Sequence, residues 1–326
     1  MSETTTPPFP DAIPVAPLLV INHALIKAGD RDEIDKLWKA ATELGFWYTK
    51  NHGMDKEVED MYELSMKTLE LPLEEKIKSE GHKRNGRWVT DETGSPDNIE
   101  FMDIAKDDIL AWPERILRSY PHTVNDLTIE STLKPYLLKS LDLCFTAFNI
   151  FDGKFGLPGG RLVQNHTGDN ISRSEIRCIR CLPRPEVPAH KLSLGVHTDF
   201  GSMTILHPRL GGLQVLPPGS SEWLYVKPVP GYVICNLGDA MAIWSGGILR
   251  SNQHRVVNPP KEQASLVRWS HGYFTRPNDN CILAPLVTKA RRSHNMRLRK
   301  PIGRRIPTCD LRPRLTGMSD GTILWR

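Results

Sequence analysis

No stretch of this 326-residue chain approaches the roughly 18 uncharged apolar residues that a bilayer-spanning helix needs. No basic region followed by an apolar one opens it either. Met1-Ser2-Glu3-Thr4-Thr5-Thr6-Pro7-Pro8 is therefore not a secretory signal, and residues 1–11 are expected to form a short disordered leader. Internal repeats are absent. Cysteine is sparse: six thiols stand at positions 144, 178, 181, 235, 281 and 309, without the spacing of a disulfide framework. A reducing, cytoplasmic setting is the expectation. Cys178 and Cys181 do form a C-x-x-C, a spacing that zinc and redox sites use. The surrounding Glu175–Leu182 reads as extended, however, and residues three apart on a strand face opposite ways. Two structural thiols are the preferred reading.

Charge is unevenly spread. The formal net charge is +4, yet from Pro285 onward eleven Lys/Arg face only Asp310 and Asp320. Residues 286–326 are thus expected to be a basic, solvated tail. No aromatic interleaving or nucleic-acid motif accompanies it, so no nucleic-acid partner is expected, and no membrane partner. Hydrophobic residues make up 39% of the chain and charged ones 25%, enough apolar material for a sizeable globular core.

The first 160 residues read mainly as helical. Ala16–Ile21 is short enough for a buried strand. Asp30 and Glu33 suggest a capping box, followed by Ile34, Leu37, Ala40, Ala41 and Leu44 at helical spacing until Gly45. Phe46–Thr49 reads as a strand, and helices are expected from about Asp55 to Pro72 and from Leu73 to Ser79. The polar, glycine-containing stretch 81–96 is expected to be a surface loop or a lid over a site. A long helix is expected over Val124–Phe155, kinked or restarted at Pro135. After Pro158-Gly159-Gly160 the character changes. Short runs recur between glycine and proline turns: Ile176–Leu182, Ser202–His207, Leu213–Leu216, Leu224–Val226, Tyr232–Leu237, Ala240–Trp244, His254–Val257 and Ala264–Phe274. Eight such runs predict a double-sheet β architecture of the jelly-roll kind, and helices in front of strands make the chain α+β. The expected division is 12–160 mainly helical and 161–285 jelly roll.

Two groups of residues carry chemistry. On an extended segment His197 and Asp199 share a face, and His254 is far enough along to reach the same ion from another strand. Two imidazoles and one carboxylate leave about three of six octahedral positions open, which favours iron(II) over tetrahedral zinc. Taken alone, H-x-D with a distant histidine is a weak signal among eleven histidines. Arg268 and Ser270 repeat the shared-face spacing and suit a carboxylate. A buried Arg–Asp pair is the alternative, because an unpaired buried charge is costly.

These residues stand in an ordered set. His197-Thr198-Asp199-Phe200-Gly201, Gly211-Gly212-Leu213-Gln214-Val215, Val233-Ile234-Cys235-Asn236-Leu237-Gly238-Asp239, Ser251-Asn252-Gln253-His254-Arg255-Val256 and Arg268-Trp269-Ser270 resemble, in order and spacing, the 2-oxoglutarate and iron(II)-dependent oxygenases. The likeness is to the branch that includes isopenicillin N synthase. Glu43–Tyr48 and Asn51-His52-Gly53 resemble that family's N-terminal region, so the likeness covers about residues 12–285. It implies a double-stranded β-helix core, with iron on His197, Asp199 and His254. It also implies that Arg268 and Ser270 hold the distal carboxylate of 2-oxoglutarate. The activity implied is oxidation of a small organic molecule by dioxygen (hydroxylation, desaturation or ring formation, as in specialised metabolism), with release of succinate and carbon dioxide. Ascorbate is expected to help in vitro. The loop expected near Ile99-Glu100-Phe101, with Phe200 and Phe274, supplies candidate pocket walls.

One departure matters. Family members often carry Asn-x-Tyr on the strand before H-x-D, where the tyrosine bonds 2-oxoglutarate; Ile179 and Cys181 occupy those positions here. Arg180 is a candidate substitute for the contact. The departure keeps open an oxidase of the isopenicillin N synthase kind, which uses no 2-oxoglutarate. A non-catalytic binding protein on the same scaffold is a third reading, and the intact ligand set argues against it.

Overall fold

Side chains alternate across a strand, and on Phe46–Lys50 both faces are apolar. Phe46, Trp47 and Tyr48 are all buried. Phe46 and Tyr48 join Ala16, Leu213, Val215, Val226 and Ile234 in one cluster. Trp47 joins a larger one with Leu37, Met61, Leu137, Phe148 and Phe151. A strand with a core on each side must be the middle layer of three, and the computed structural model shows this. It describes residues 7–79, 99–183, 185–186, 192–286 and 323–324.

The strands are β1 (Leu19–Asn22), β2 (Phe46–Lys50), β3 (Ile99–Ala105), β4 (Glu175–Cys181), β5 (Leu192–His197), β6 (Met203–Pro208), β7 (Leu213–Val215), β8 (Leu224–Tyr225), β9 (Val233–Leu237), β10 (His254–Val257) and β11 (Arg268–Thr275). Seven form the major sheet, in the order β1-β2-β9-β6-β11-β4-β3, and four the minor sheet, β5-β10-β7-β8. The two sheets make the jelly roll, a double-stranded β-helix. Helices α1 (His23–Lys27), α2 (Arg31–Glu43), α3 (Asp55–Leu69), α4 (Leu73–Lys76), α5 (Lys106–Ala111), α6 (Lys134–Phe155) and α7 (Asp239–Trp244) complete the described elements named here. The larger core lies between the outer face of the major sheet and α2, α3 and α6. There Phe148 and Phe151 are fully enclosed, and each such side chain contributes about 1.5–3 kcal/mol by burial. No described helix is long and apolar enough to cross a membrane.

Local signals explain the helix ends. Asp30 accepts a hydrogen bond from the Glu33 backbone N–H at 2.9 Å, the expected cap. Glu33 does not return the favour; its carboxylate accepts from the Asn22 N–H and thereby ties α2 to β1. Pro135 sits in the first turn of α6, where its missing N–H costs nothing. The turn before it, Ile129–Leu133, widens to a π-helix, so the helix restarts as the proline requires.

Several expectations are corrected. Ala240–Trp244 is not a strand but α7, because a five-residue apolar run carries no periodicity to separate the two and Gly238-Asp239 is a helix start. Residues 261–265 form a 3-10 turn, so the last long strand begins at Arg268 rather than Ala264. Ile99-Glu100-Phe101 is not a loop; it opens β3, paired with β4. Residues 7–11, expected within a disordered leader, pack onto the minor sheet: Phe9 is buried against Tyr225 with ring centres 5.9 Å apart. The expected loop or lid at 81–96 and most of the basic tail lie outside the described residues. The five described cysteines are free thiols, and Cys178 packs in the helix-side core while Cys181 faces the barrel interior.

Beneath the helices the core holds neutral imidazoles. His207 and His271 stack at 5.0 Å, with Tyr136 edge-on to both. His166 lies between Phe148 and Trp244. Burial pushes His166 down to about 4 and His271 down to about 3. Below the ordinary value near 6.5 the unfolded chain binds protons that these folded imidazoles refuse, so their contribution to stability is present above about pH 6.5 and is lost as pH falls toward 4. Replacing His166 with Gln should flatten the pH dependence of the urea midpoint between about pH 6.5 and 4.5 by roughly one proton, about 1.4 kcal/mol per pH unit. An unchanged slope would refute the assignment. Separately, Asp30→Ala should cost about 1 kcal/mol in the same titration at neutral pH.

Candidate metal and co-substrate site

The strand β5 ends at His197, so Asp199 lies two residues beyond the end of the strand. His254 opens β10, directly opposite His197 in the antiparallel register. The β5–β10 pairing within the minor sheet, with the segment that follows β5, thereby brings three donors together. His197 Nε2 lies 3.9 Å and His254 Nε2 3.7 Å from Asp199 Oδ1, and all three ligand atoms lie within 4.8 Å of one another. Among the described residues this is the one His/Cys/Asp/Glu group that could hold a metal ion.

The atoms not facing the gap are already engaged. His197 Nδ1 bonds the Gly195 carbonyl at 2.8 Å, and His254 Nδ1 the Asn252 carbonyl at 3.2 Å. A carbonyl accepts only, so each Nδ1 carries the proton and each Nε2 presents its lone pair to the gap. Asp199 Oδ2 accepts from Thr204 Oγ1 at 2.6 Å and Asn236 Nδ2 at 2.7 Å, leaving Oδ1 for a ligand. Burial works to raise the Asp199 carboxyl, but His254, His197, Thr204 and Asn236 outweigh it and hold it below the usual carboxylate range. Burial also lowers His254, keeping it neutral. One carboxylate with two imidazoles that present Nε2 to a common point is the donor set of an iron(II) centre, so the residues present fit that ion.

The backbone around the triad is fixed by close packing. The Asp239 N–H bonds the Asp199 carbonyl at 2.8 Å, and Thr198 Oγ1 donates to Asp239 Oδ2. A Cβ on Gly238 would lie 2.2 Å from the Gly201 carbonyl oxygen and 2.6 Å from that of Asp199, so only glycine permits this approach.

Arg268 and Ser270 project from β11 into the barrel, on the face that Thr204 and Asn236 share from β6 and β9. Arg268 is 3% exposed. Its Nε donates to the Gly211 carbonyl at 2.9 Å and its Nη1 to Ser270 Oγ at 3.2 Å. Among the described residues no carboxylate pairs with it, so the anticipated Arg–Asp alternative is absent. A buried guanidinium bonded only to neutral groups calls for an anionic ligand, and the distal carboxylate of 2-oxoglutarate fits. Cys181 lies across from Arg268, and Ile179 across from Ser270, in the β4–β11 register. Arg180 does not supply the missing contact. It points to the opposite face, where Nη1 donates to the Leu69 carbonyl at 3.0 Å and the guanidinium lies over Trp269. Glu100 likewise faces the helices, paired with Lys76, whereas Phe101 and Phe274 face inward. Phe200 is 40% exposed.

Family comparison agrees with this geometry. A model described as the 2OG-Fe(II) oxygenase superfamily matches residues 161–277, and one described as the N-terminal region of non-haem dioxygenases in morphine synthesis matches residues 16–122. Jasmonate-induced oxygenase 3 of Arabidopsis thaliana is 31% identical over 78% of this chain and 69% of its own length. This chain belongs to the 2-oxoglutarate/iron(II)-dependent oxygenases. A flavone synthase of Petroselinum crispum is 30% identical, covering 85% of this chain and 74% of the relative. A homoarginine-6-hydroxylase of Glycine max is 27% identical over 88% and 93%. Among solved structures, a full-length Neurospora crassa protein crystallised with alpha-KG superposes with a TM-score of 0.70 at 23% identity, covering 84% of this chain and 90% of that one. The Arabidopsis thaliana dioxygenase for auxin oxidation 1, in its 2-oxoglutarate complex, gives 0.63 at 22% identity over 84% and 99%. At these identities the structural likeness shows the fold alone. The oxygenase is accordingly a non-haem iron(II) enzyme with 2-oxoglutarate and dioxygen as co-substrates.

Thr204 and Asn236 were not anticipated as site residues. Each is a polar side chain on an apolar strand, and that was the available signal. Thr204→Ala and Asn236→Ala should each weaken metal binding about 10–100-fold, measured by calorimetry with iron(II) or manganese(II) on folded protein. Unchanged affinity in both would show that Asp199 is not held through its second oxygen.

Proposed function

We propose that His197 Nε2, Asp199 Oδ1 and His254 Nε2 hold iron(II) in this oxygenase, and that Arg268 and Ser270 hold the distal carboxylate of 2-oxoglutarate during oxidation of a small organic molecule. The observation that carries the reading is the buried Arg268, which has no carboxylate partner among the described residues, on the same inner wall as the residues that brace Asp199. When bound, iron(II) with 2-oxoglutarate and dioxygen supplies the oxidising chemistry, coupled to decarboxylation to succinate. The chain's own residues do the positioning. The Nδ1–H bonds of both histidines fix their rings, Thr204 and Asn236 fix the carboxylate, and Arg268 with Ser270 sets the depth of the co-substrate. The apolar cluster of Phe46, Val215 and Ile234 closes the barrel to water on one side.

The relatives named above include a flavone synthase and a homoarginine hydroxylase, which supports a small-molecule substrate and either hydroxylation or desaturation. Five free thiols among the described residues support a cytoplasmic setting. The absence of the tyrosine contact at Cys181 is the one observation that favours an oxidase independent of 2-oxoglutarate. Succinate formation decides between them: the purified chain with iron(II) and ascorbate should release succinate from 2-oxoglutarate, and dioxygen uptake without succinate would establish the oxidase. Arg268→Leu should raise the KM for 2-oxoglutarate by about 100-fold or more, with Arg268→Lys intermediate. Asp199→Ala should abolish iron retention while leaving the circular dichroism spectrum unchanged.

A further inference from the structure

On the inner face of the major sheet, away from Arg268, lies a second set of buried charges. Arg177 on β4 forms a two-pronged pair with Asp103 on β3, Nε to Oδ1 at 2.6 Å and Nη2 to Oδ2 at 3.0 Å. Its Nη2 also reaches Glu175 Oε1 at 2.9 Å. Arg118 donates to Glu175 Oε2 at 2.8 Å and Arg276 to Glu175 Oε1 at 3.2 Å. Three guanidiniums thus share two carboxylates, and one positive charge is left over.

The arrangement is polarised toward the chamber. The side chains of Asp103 and Glu175 are 0% and 2% exposed, whereas those of Arg177 and Arg276 are 20% and 26% exposed. The acids and Arg118 are therefore enclosed, with Arg177 and Arg276 in front of them. Arg177 Nη1 and Arg276 Nη1 have no hydrogen-bond partner among the described residues. The Phe101 and Phe274 rings flank the Arg177 guanidinium at 5.0 and 5.1 Å. The wall is next to the metal triad. Phe274 is the register partner of Thr204, which bonds Asp199, and the Asp199 charge is close enough to act on Arg177. Gly272 stands opposite Arg177 on β11 and has no side chain to block the space before it. A Cβ there would meet the Ile205 carbonyl at 2.7 Å.

We propose that Arg177 and Arg276, with the Phe101 and Phe274 rings, form the substrate-recognition wall of this oxygenase, and that the wall takes the carboxylate of a small planar, aromatic or unsaturated acid. The inference rests on the co-substrate occupying Arg268. Arg268 then has its own anion, and the second positive surface is left to the substrate. The carboxylate accepts from the two free Nη1 groups. The planar body lies beside the phenylalanine rings, over which the Arg177 guanidinium is itself placed.

The test uses the full chain loaded with iron(II) and 2-oxoglutarate without dioxygen, and titrates benzoate, phenylacetate and cinnamate against their primary amides by calorimetry. Binding of 2-oxoglutarate is measured first on the same preparation; its absence would overturn the co-substrate assignment and the wall with it, whereas failure of the acids with 2-oxoglutarate bound overturns the wall alone. With 2-oxoglutarate bound, at least one acid should bind about tenfold or more tighter than its amide. That ratio should collapse to within about twofold in Arg177→Gln and recover in Arg177→Lys. Because Arg177→Gln leaves Asp103 buried without its partner, Arg276→Gln is measured alongside, and should lower the ratio while disturbing one bond to Glu175. Equal binding of acids and amides, no acid binding up to about 10 mM, or an acid preference unchanged in both glutamine variants would overturn the proposal.

Discussion

Asp199 carries the heaviest constraint in the molecule. Its carboxylate is largely withdrawn from water, which alone would favour the neutral acid, yet a metal ligand must be ionised. Thr204 and Asn236 resolve the conflict by donating to one oxygen, and the two imidazoles lie beside the other. The donors arrive from different places: β6 and β9 in one sheet, β10 in the other, and a turn that only Gly238 allows to pack so closely. The two-sheet barrel is the frame in which those directions converge. A side chain shifted by a fraction of an ångström at any of them changes what Oδ1 presents.

Charge is handled differently at the two ends of the inner wall. Around Asp103 and Glu175 the acids and Arg118 are enclosed, Arg177 and Arg276 are half-buried, and every carboxylate oxygen accepts from a guanidinium. Around Arg268 the described residues supply only a carbonyl and a hydroxyl. Pairing a buried charge within the protein costs less than leaving it alone. The unpaired state of Arg268 is therefore a feature the fold maintains against its own stability, and burial accordingly lowers the affinity of that guanidinium for its proton.

Much of this was legible before any coordinates. His197, Asp199, Arg268 and Ser270 could be placed because the period of a strand is short and local, and His254 because the flanking motif keeps its spacing. The cap at Asp30 and the restart at Pro135 are likewise properties of a few neighbouring residues. What was missed depends on partners distant in the chain. β3 became a strand only because β4 lies beside it, and Ala240–Trp244 coiled because its start packs against Asp199 and Gly201. Arg180 was assigned to the wrong face although strand alternation opposes it to Cys181, and that signal was present in the sequence. Thr204 and Asn236 were visible as polar interruptions of apolar strands, but their common target required the register of β6 against β9.

That register has a temporal side. β9 is held between β6 and β2, and Phe46 on β2 lies opposite Asn236. During synthesis at about 5–20 residues per second, β2 emerges roughly 10–40 s before the strand it must join. Through that interval a strand with two apolar faces has only β1 as a ladder partner, and its other edge is open to any passing extended chain. The same lateral bond that later steadies Asn236 makes the nascent N-terminal segment the stage at which this enzyme is most exposed to misassembly.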